Sequence, residues 1–357
     1  MSHVNAGMID GIVLVSFGGP RGEADVVPFL ENVTAGRGVP RERLMVVGEH
    51  YFARGGVSPI NAETQAQAEA MRSALERAGR GDVPVFVGNR NWDPYVHEAL
   101  LAASQAGVRR AAVVVTSAYS GYSSCRQYRE DIAAAVARLE AAGERVPELV
   151  YVRPWGLEPV VVAAWQRRAV EFVGRAVQGD VSLDEVRVLF VAHSIPEGAA
   201  VHSGPQGNPR TYERELMAVA HSCAQAVEES LGAQPGWDLV FCSRSGRPEQ
   251  PWLVPDINDA ITALQGSGVR SVVLVPIGFV ADHMEVVQDL DTEAADTAAG
   301  IGVEFLRAPT LRDEQAVAQR LVELALNAGQ EPGLCQVDCC LAPLRPGTQR
   351  PVAAFEG

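Results

Sequence analysis

The sequence contains no lysine, and all thirty of its basic residues are arginine. Without lysine the chain cannot form a Schiff base with a carbonyl substrate, and it has no GxxxxGK(S/T) phosphate loop. The first apolar stretch and the loop after it, VLVSFGGPRG from Val13 to Gly22, also lack the GxGxxG pattern of dinucleotide-binding folds. We therefore expect a protein that uses no nucleotide.

Positive charge and long apolar runs are scarce as well. The formal net charge is -14, which argues against a nucleic-acid partner, because such surfaces need clustered basic residues. No apolar run approaches the roughly 20 residues that span a bilayer, and the first residues resemble no secretory signal. We expect a cytoplasmic protein without a membrane anchor, acting as a monomer.

Apolar runs typical of buried strands alternate with amphipathic helical segments, which predicts an α/β protein with parallel sheets. A chain of 357 residues is long enough for two domains of ordinary size. The predicted strands are Gly11–Phe17, Pro84–Val87, Ala111–Thr116, Leu149–Val152, Val186–Ala192, Leu239–Cys242, Ser271–Pro276 and Val303–Leu306.

Three segments of the first half recur in the same order in the second half. The paired segments are VLVSFGGP (Val13–Pro20) with LFVAHSIP (Leu189–Pro196), VFVGNR (Val85–Arg90) with VFCSRSG (Val240–Gly246), and GVRRAAVVVTSAYS (Gly107–Ser120) with GVRSVVLVPIGFV (Gly268–Val280). This order predicts an internal duplication and two Rossmann-like lobes that face each other across a cleft. We expect residues 1–148 and 149–330 to form the lobes, followed by a cysteine-containing segment at 331–357.

Within the stretch VRVLFVAHSIPEG (Val186–Gly198), His193 directly follows the apolar residues, at the end of a predicted strand where ligands bind in parallel sheets. Pro196 disfavours helix at the residue before it, so we expect His193 on a loop. A histidine there can exchange protons or bind a metal. The alternative is a strand-end histidine that only satisfies a neighbouring carbonyl.

A row of carboxylates occurs in the second half of the chain. A helix predicted to begin near Asp282 places Glu285, Asp289 and Glu293 on one face, where like charges repel by roughly a few tenths of a kcal/mol per pair. A cation would relieve this repulsion. Two alternatives remain open: the row is a solvated face, or Asp282 and Glu285 form a capping box. Because His193 and Glu285 both follow strands of one lobe, we expect them to converge.

Six motifs carry a resemblance to a known family, and they run in that family's order from about Gly11 to near Leu326. The motifs are LVSFGGP (Leu14–Pro20), GGVSPI (Gly55–Ile60), SAYSGYSSCRQY (Ser117–Tyr128), VAHSIP (Val191–Pro196), SRSGRPEQPWLVP (Ser243–Pro255) and GFVADHMEVVQDLD (Gly278–Asp291). Together they resemble a ferrochelatase, which inserts Fe(II) into a porphyrin.

The resemblance implies a role for each matching residue. His193 and Glu285 match the residues that handle the metal and take up pyrrole protons, and Asp289 and Glu293 match an acidic ridge proposed to conduct the ion. Ser58 and Tyr128 match porphyrin contacts, with Tyr122 a neighbour on the same loop. One departure is Phe17, since many soluble bacterial relatives have a tyrosine there that approaches the iron.

Half of the six cysteines crowd into the tail at Cys335, Cys339 and Cys340. In a cytosolic chain such crowding favours metal over disulfide, and three clustered thiolates with one distant thiolate are a complete ligand set for a 2Fe-2S cluster. The resemblance supports such a cluster, because actinobacterial and animal relatives carry one. We expect Cys125 as the internal ligand, rather than Cys223 or Cys242. The alternative is a tail with free thiols.

The resemblance to actinobacterial members implies coproporphyrin III as the substrate, with protoporphyrin IX as the alternative. Arginines that could bind its extra carboxylates are Arg37, Arg41, Arg43, Arg54, Arg126 and Arg129. The sequence is also compatible with a chelatase for another metal or tetrapyrrole, and with a haem carrier or iron-sulfur sensor without turnover.

Overall fold

The computed structural model describes residues 7–36, 38–205, 207–246, 249–312, 314–329 and 338–342. Within these ranges, eight parallel strands form two four-stranded sheets. The first sheet has the order β2-β1-β3-β4 and contains β1 (Gly11–Ser16), β2 (Val85–Asn89), β3 (Arg110–Val115) and β4 (Glu148–Tyr151). The second has the order β6-β5-β7-β8 and contains β5 (Val186–His193), β6 (Gly236–Cys242), β7 (Ser271–Val275) and β8 (Glu304–Arg307).

Helices connect the strands of both lobes. They are α1 (Glu23–Val33), α2 (Arg41–Phe52), α3 (Ile60–Arg77), α4 (Val96–Gln105), α5 (Gln127–Ala141), α6 (Pro159–Ala176), α7 (Glu197–Val201), α8 (Thr211–Leu231), α9 (Ile257–Thr262), α10 (Met284–Gln288), α11 (Ala295–Gly300) and α12 (Gln315–Leu326). Two π-helical segments, Tyr122–Arg126 and Asp289–Ala294, precede α5 and α11. No helix of the described residues combines the length and apolar character needed to cross a bilayer.

The eight predicted strands and the α/β class are confirmed. The central strands read as continuous apolar runs because both of their faces are covered: every residue of β1 and β7 is buried. One contiguous core contains side chains from both sheets and from α3, α6, α8 and α12. Separate clusters fill the outer face of each sheet. The two lobes therefore share their largest apolar core.

The duplication is confirmed by the identical strand order and by strand register. Ile12 pairs with Ala112 between β1 and β3, and Val188 pairs with Val273 between β5 and β7. Ile12 and Val188 stand directly before the two members of one motif pair, and Ala112 and Val273 occupy matching places in another. The two lobes are therefore equivalent residue by residue along their central strands.

The predicted match of VFVGNR (Val85–Arg90) with VFCSRSG (Val240–Gly246) is wrong by three residues. Ile12 pairs with Val85, whereas its equivalent Val188 pairs with Trp237, so VFVGNR corresponds to WDLVFC rather than to VFCSRS. Hydrogen bonds agree, since Asn89 N–H donates to Pro94 O at 2.7 Å and Phe241 N–H donates to Pro255 O at 2.9 Å. The error arose because both segments begin with Val-Phe, although these dipeptides are not at equivalent positions in the two sheets.

The chain crosses the predicted boundary at residue 148 within the first sheet. Strand β4 pairs with β3 and continues to Tyr151. Helix α12, near the predicted end of the second lobe, packs on α3 of the first lobe. Of the predicted segment 331–357, only residues 338–342 lie among the described residues.

Candidate functional site

His193 is the last residue of β5 and pairs with Cys242 of β6. The prediction that it lies on a loop is wrong, because the ladder extends to this position and Ser194 N–H also donates to Cys242 O at 2.8 Å. Its Nδ1 contacts the carbonyl oxygen of Ser194. With the Nδ1 proton held there, Nε2 carries the lone pair and is oriented as a base or metal ligand.

Glu285 meets His193 at the start of α10. Its Oε2 lies 3.3 Å from His193 Nε2, so the predicted convergence is confirmed. The helix begins at Met284, not near Asp282, and His283 is its N-cap without a side-chain capping bond. The capping-box alternative is wrong, since Asp282 lies outside the N-cap position and pairs with Arg307 at 3.1 Å.

Each member of the pair shifts the pKa of the other toward the charged form. Burial opposes charge on both residues, but the hydrogen bond and charge of the partner prevail. Glu285 therefore raises the pKa of His193 above its usual value. In turn His193, with a smaller contribution from His283, lowers the pKa of Glu285 to about 2. Both side chains keep solvent access, with exposed fractions of 34% and 55%.

His283 is a site residue that sequence reasoning missed. Its Nδ1 lies 3.9 Å from Glu285 Oε2, and its ring meets Phe279 edge to face at 5.3 Å between centroids. Burial lowers the pKa of His283 below its usual value. One carboxylate thus lies between a histidine that favours protonation and one that favours the neutral form. The sequence signal that could have identified His283 is its position two residues before Glu285 at the start of a helix.

The acidic row continues from Glu285 through the π-helical segment. Asp289 accepts a hydrogen bond from Ser243 Oγ, and Ser243 itself has a left-handed backbone with φ of 61°. Burial, reinforced by Glu285 and Glu293, raises the pKa of Asp289 to about 6. Glu293 is exposed and accepts a bond from Gln288 at 3.0 Å. The solvated-face alternative therefore describes Glu293 but not Asp289.

The three predicted porphyrin contacts belong to the first lobe. Ser58 is buried against Gly19, and its N–H donates to Pro20 O at 3.0 Å. Tyr128 is buried beneath the Arg90 guanidinium, which lies 4.5 Å from the ring centroid. Tyr122 Oη donates to Glu130 at 3.1 Å.

The end of α2 connects this lobe to the acidic site. Tyr51 packs in one cluster with Met284, and burial together with the charge of Glu285 raises the pKa of Tyr51. Behind the site, Tyr119 of the first lobe donates to Ile277 O of the second at 2.9 Å. The site thus lies where the two lobes meet.

The family model described as Ferrochelatase matches residues 9–328. This chain belongs to the ferrochelatase family.

Curated relatives cover nearly the whole chain. The coproporphyrin III ferrochelatase of Frankia alni is 45% identical over 351 residues, covering 95% of this chain and 88% of the relative. The coproporphyrin III ferrochelatase of Streptomyces coelicolor is 43% identical over 376 residues, covering 98% and 97%. Among solved structures, SirB from Bacillus subtilis with Fe³⁺ matches with a TM-score of 0.48 and 14% identity, over 90% of this chain and 97% of that one.

This ferrochelatase-family chain buries two adjacent tail cysteines against both lobes. Cys339 and Cys340 have Sγ atoms 3.7 Å apart. Gly204 N–H donates to Cys340 Sγ at 3.1 Å. Arg126, which follows Cys125 directly, donates to Cys339 O at 3.4 Å. These contacts bring the tail cysteines to the π-helical segment that carries Cys125.

The ligand set as a whole is not assembled in the described residues. Cys335 lies outside them, and they contain no group of three or more His, Cys, Asp or Glu side chains arranged for a metal. The two other internal cysteines lie in the core: burial raises the pKa of Cys223 to about 12 and raises that of Cys242 as well. Because metals bind thiolates, the partly exposed Cys125 fits better than either.

Proposed function

We propose that this chain inserts Fe(II) into coproporphyrin III in haem biosynthesis. The observation that supports the reaction is the His193–Glu285 pair, which places an imidazole with a raised pKa beside a carboxylate where the two lobes meet. The names of the 43–45% identical relatives support the substrate.

Metal insertion replaces two pyrrole protons, so the site needs a proton acceptor beside the incoming ion. His193 Nε2 is that acceptor, because the raised pKa makes the imidazole a stronger base near neutral pH. Glu285 stabilises the imidazolium formed and provides an oxygen ligand that suits Fe(II). Of the three predicted porphyrin contacts on the first lobe, Tyr122 is partly exposed and would touch the ring directly, whereas Ser58 and Tyr128 are buried and would have to be uncovered to reach it.

Asp289 and Glu293 lead away from this pair toward solvent. Asp289 is half-buried with a raised pKa, and Glu293 is exposed. A carboxylate with a pKa of about 6 changes protonation near neutral pH, so it can release a proton when a cation arrives. We propose that the row receives Fe(II) from solvent and passes it inward.

Coproporphyrin III carries two more carboxylates than protoporphyrin IX, and therefore needs additional cations. Of the predicted arginines, Arg126 and Arg129 are buried, and Arg37 lies outside the described residues. Arg41 and Arg43 are exposed, and Arg54 is half-buried. The last three remain candidates for the carboxylates.

We further propose a 2Fe-2S cluster on Cys125, Cys335, Cys339 and Cys340. The contact of Arg126, next to Cys125, with Cys339 O and the N–H bond to Cys340 Sγ support it, since hydrogen bonds to cluster sulfurs tune such centres. We also propose a cytoplasmic monomer of two lobes, the first of which extends past the predicted boundary at 148 to the end of β4 at Tyr151, followed by a cysteine segment at 331–357.

The test is anaerobic metallation followed by porphyrin absorbance. Purified protein is mixed with Fe(II) and either coproporphyrin III or protoporphyrin IX, for wild type and Glu285→Gln. We expect faster turnover with coproporphyrin III, and a loss of about 10²- to 10⁴-fold in Glu285→Gln with the ring still bound. Glu140→Gln, an exposed position on α5, is the matched control and should match wild type. Ring binding without metallation in the wild type would leave a carrier or sensor.

A further inference from the structure

Arg54 reaches from the end of α2 across to the second lobe. Its guanidinium donates to Gln288 Oε1 at 3.0 Å and to Thr292 Oγ1 at 2.7 Å, and also to the carbonyl of His50 at 3.3 Å. All three acceptors are neutral. Among the described residues, no carboxylate pairs with this guanidinium. Its charge is therefore available to an anion that enters the cleft.

The two acceptors on the second lobe belong to the acidic row's own backbone segment. Gln288 precedes Asp289 and also donates its Nε2 to Glu293 Oε1 at 3.0 Å. The guanidinium is thus linked through one side chain to the outer carboxylate of the row. A positive charge held there opposes the approach of a divalent cation.

The same residue is close in sequence to one predicted porphyrin contact. Arg54 is four residues before Ser58. On the last turn of α2, burial and the charge of Glu285 raise the pKa of Tyr51. Bonds from arginine to carboxylate are about twice as strong as those to neutral acceptors. A carboxylate on the ring edge would therefore draw Arg54 away from Gln288 and Thr292.

We infer that Arg54, Gln288 and Thr292 form a latch that a substrate carboxylate opens, so that ring binding frees the acidic row for Fe(II). The inference rests on the proposed function and makes Arg54 a specificity residue for carboxylate-rich rings. Macrocycle binding then precedes tight metal binding.

Two variants with opposite expected effects test the latch. Arg54→Met removes the cation, so coproporphyrin III should bind about tenfold more weakly, while Mn²⁺ should bind the ring-free protein roughly threefold more tightly. Thr292→Val removes a competing acceptor, together with the bond from Thr292 Oγ1 to Val287 O, and leaves the guanidinium in place, so coproporphyrin III should bind more tightly and Mn²⁺ should be unaffected. A residue with a merely structural role would not give effects of opposite sign. Porphyrin fluorescence and Mn²⁺ electron paramagnetic resonance measure the two affinities on the full chain.

Arg77→Met, an exposed arginine on α3, is the matched control and should change neither affinity. The inference is overturned if Arg54→Met behaves like this control, or if both latch variants shift coproporphyrin binding in the same direction. If Arg54→Met does not fold, the sign of the Thr292→Val effect decides. Neither measurement needs turnover, so a wild type that binds coproporphyrin III without metallating it contradicts the proposed function alone.

Discussion

Replacing Gly278 by alanine should displace His193 without touching it. Gly278 follows β7, and its N–H donates to Val191 O at 2.9 Å. A Cβ at Gly278 would stand 2.5 Å from both Cα and Cβ of Ala192, the residue before His193. Non-bonded carbons prefer about 3.5–4.0 Å, so the two segments must separate by about 1 Å.

That separation predicts two measurable effects. Overpacking of this kind lowers the free energy of unfolding by about 1–3 kcal/mol. A shift of about 1 Å in a reacting group can reduce the rate about 10²-fold. Urea unfolding measures the first effect, and anaerobic coproporphyrin III metallation measures the second.

Gly174→Ala in α6 is the matched control, because nothing lies within 4 Å of its added Cβ. Alanine is favoured over glycine inside a helix by roughly 0.5–1 kcal/mol, so this variant should be more stable and equally active. If Gly278→Ala unfolds and metallates like wild type, the close approach of the two chain segments does not fix His193.

Three further predictions concern the charged pair and the tail. Glu285→Gln should lower the pKa of His193, because burial then opposes the charged imidazole without a carboxylate to offset it. NMR titration of the imidazole measures this pKa, and an unchanged value would contradict the prediction. Arg126→Met should lower the free energy of unfolding by about 3–5 kcal/mol in urea, since it leaves a buried carboxylate without its arginine; a wild-type midpoint refutes this. Cys340→Ser should abolish iron-sulfur absorbance in anaerobically purified protein, while Cys223→Ser should retain it. If Cys340→Ser keeps the absorbance as well, the proposed ligand set is wrong.

The strands were predictable because their chemistry is local. Runs such as GIVLVS and SVVLV are apolar except for one serine at an end, since helices cover both faces of each sheet. Register was less predictable, as the three-residue error in the second strand of each lobe shows. In chains rich in valine, the residue paired across the neighbouring strand, rather than local sequence similarity, decides which residues of the two lobes are equivalent.

The site was predictable where topology alone decides it. His193 and Glu285 meet because parallel strands end at the same edge of a sheet. The predicted start of α10 near Asp282 was wrong because Asp282 forms an ion pair with Arg307 in β8, and this long-range pair leaves no local sequence pattern. The bond from Ser243 to Asp289 was missed for the same reason.

The duplicated lobes place different chemistry at equivalent positions. Because Ile12 corresponds to Val188, counting along the strands makes Phe17 the equivalent of His193. The Arg90 guanidinium lies 5.9 Å from the Phe17 ring centroid, so the first lobe presents an aromatic face with a cation behind it. Phenylalanine cannot bind iron or accept a proton, and the nearby cation disfavours a metal. If a ring is held between the lobes as proposed, we predict that it exchanges protons and receives Fe(II) from the His193 face rather than from the Phe17 face.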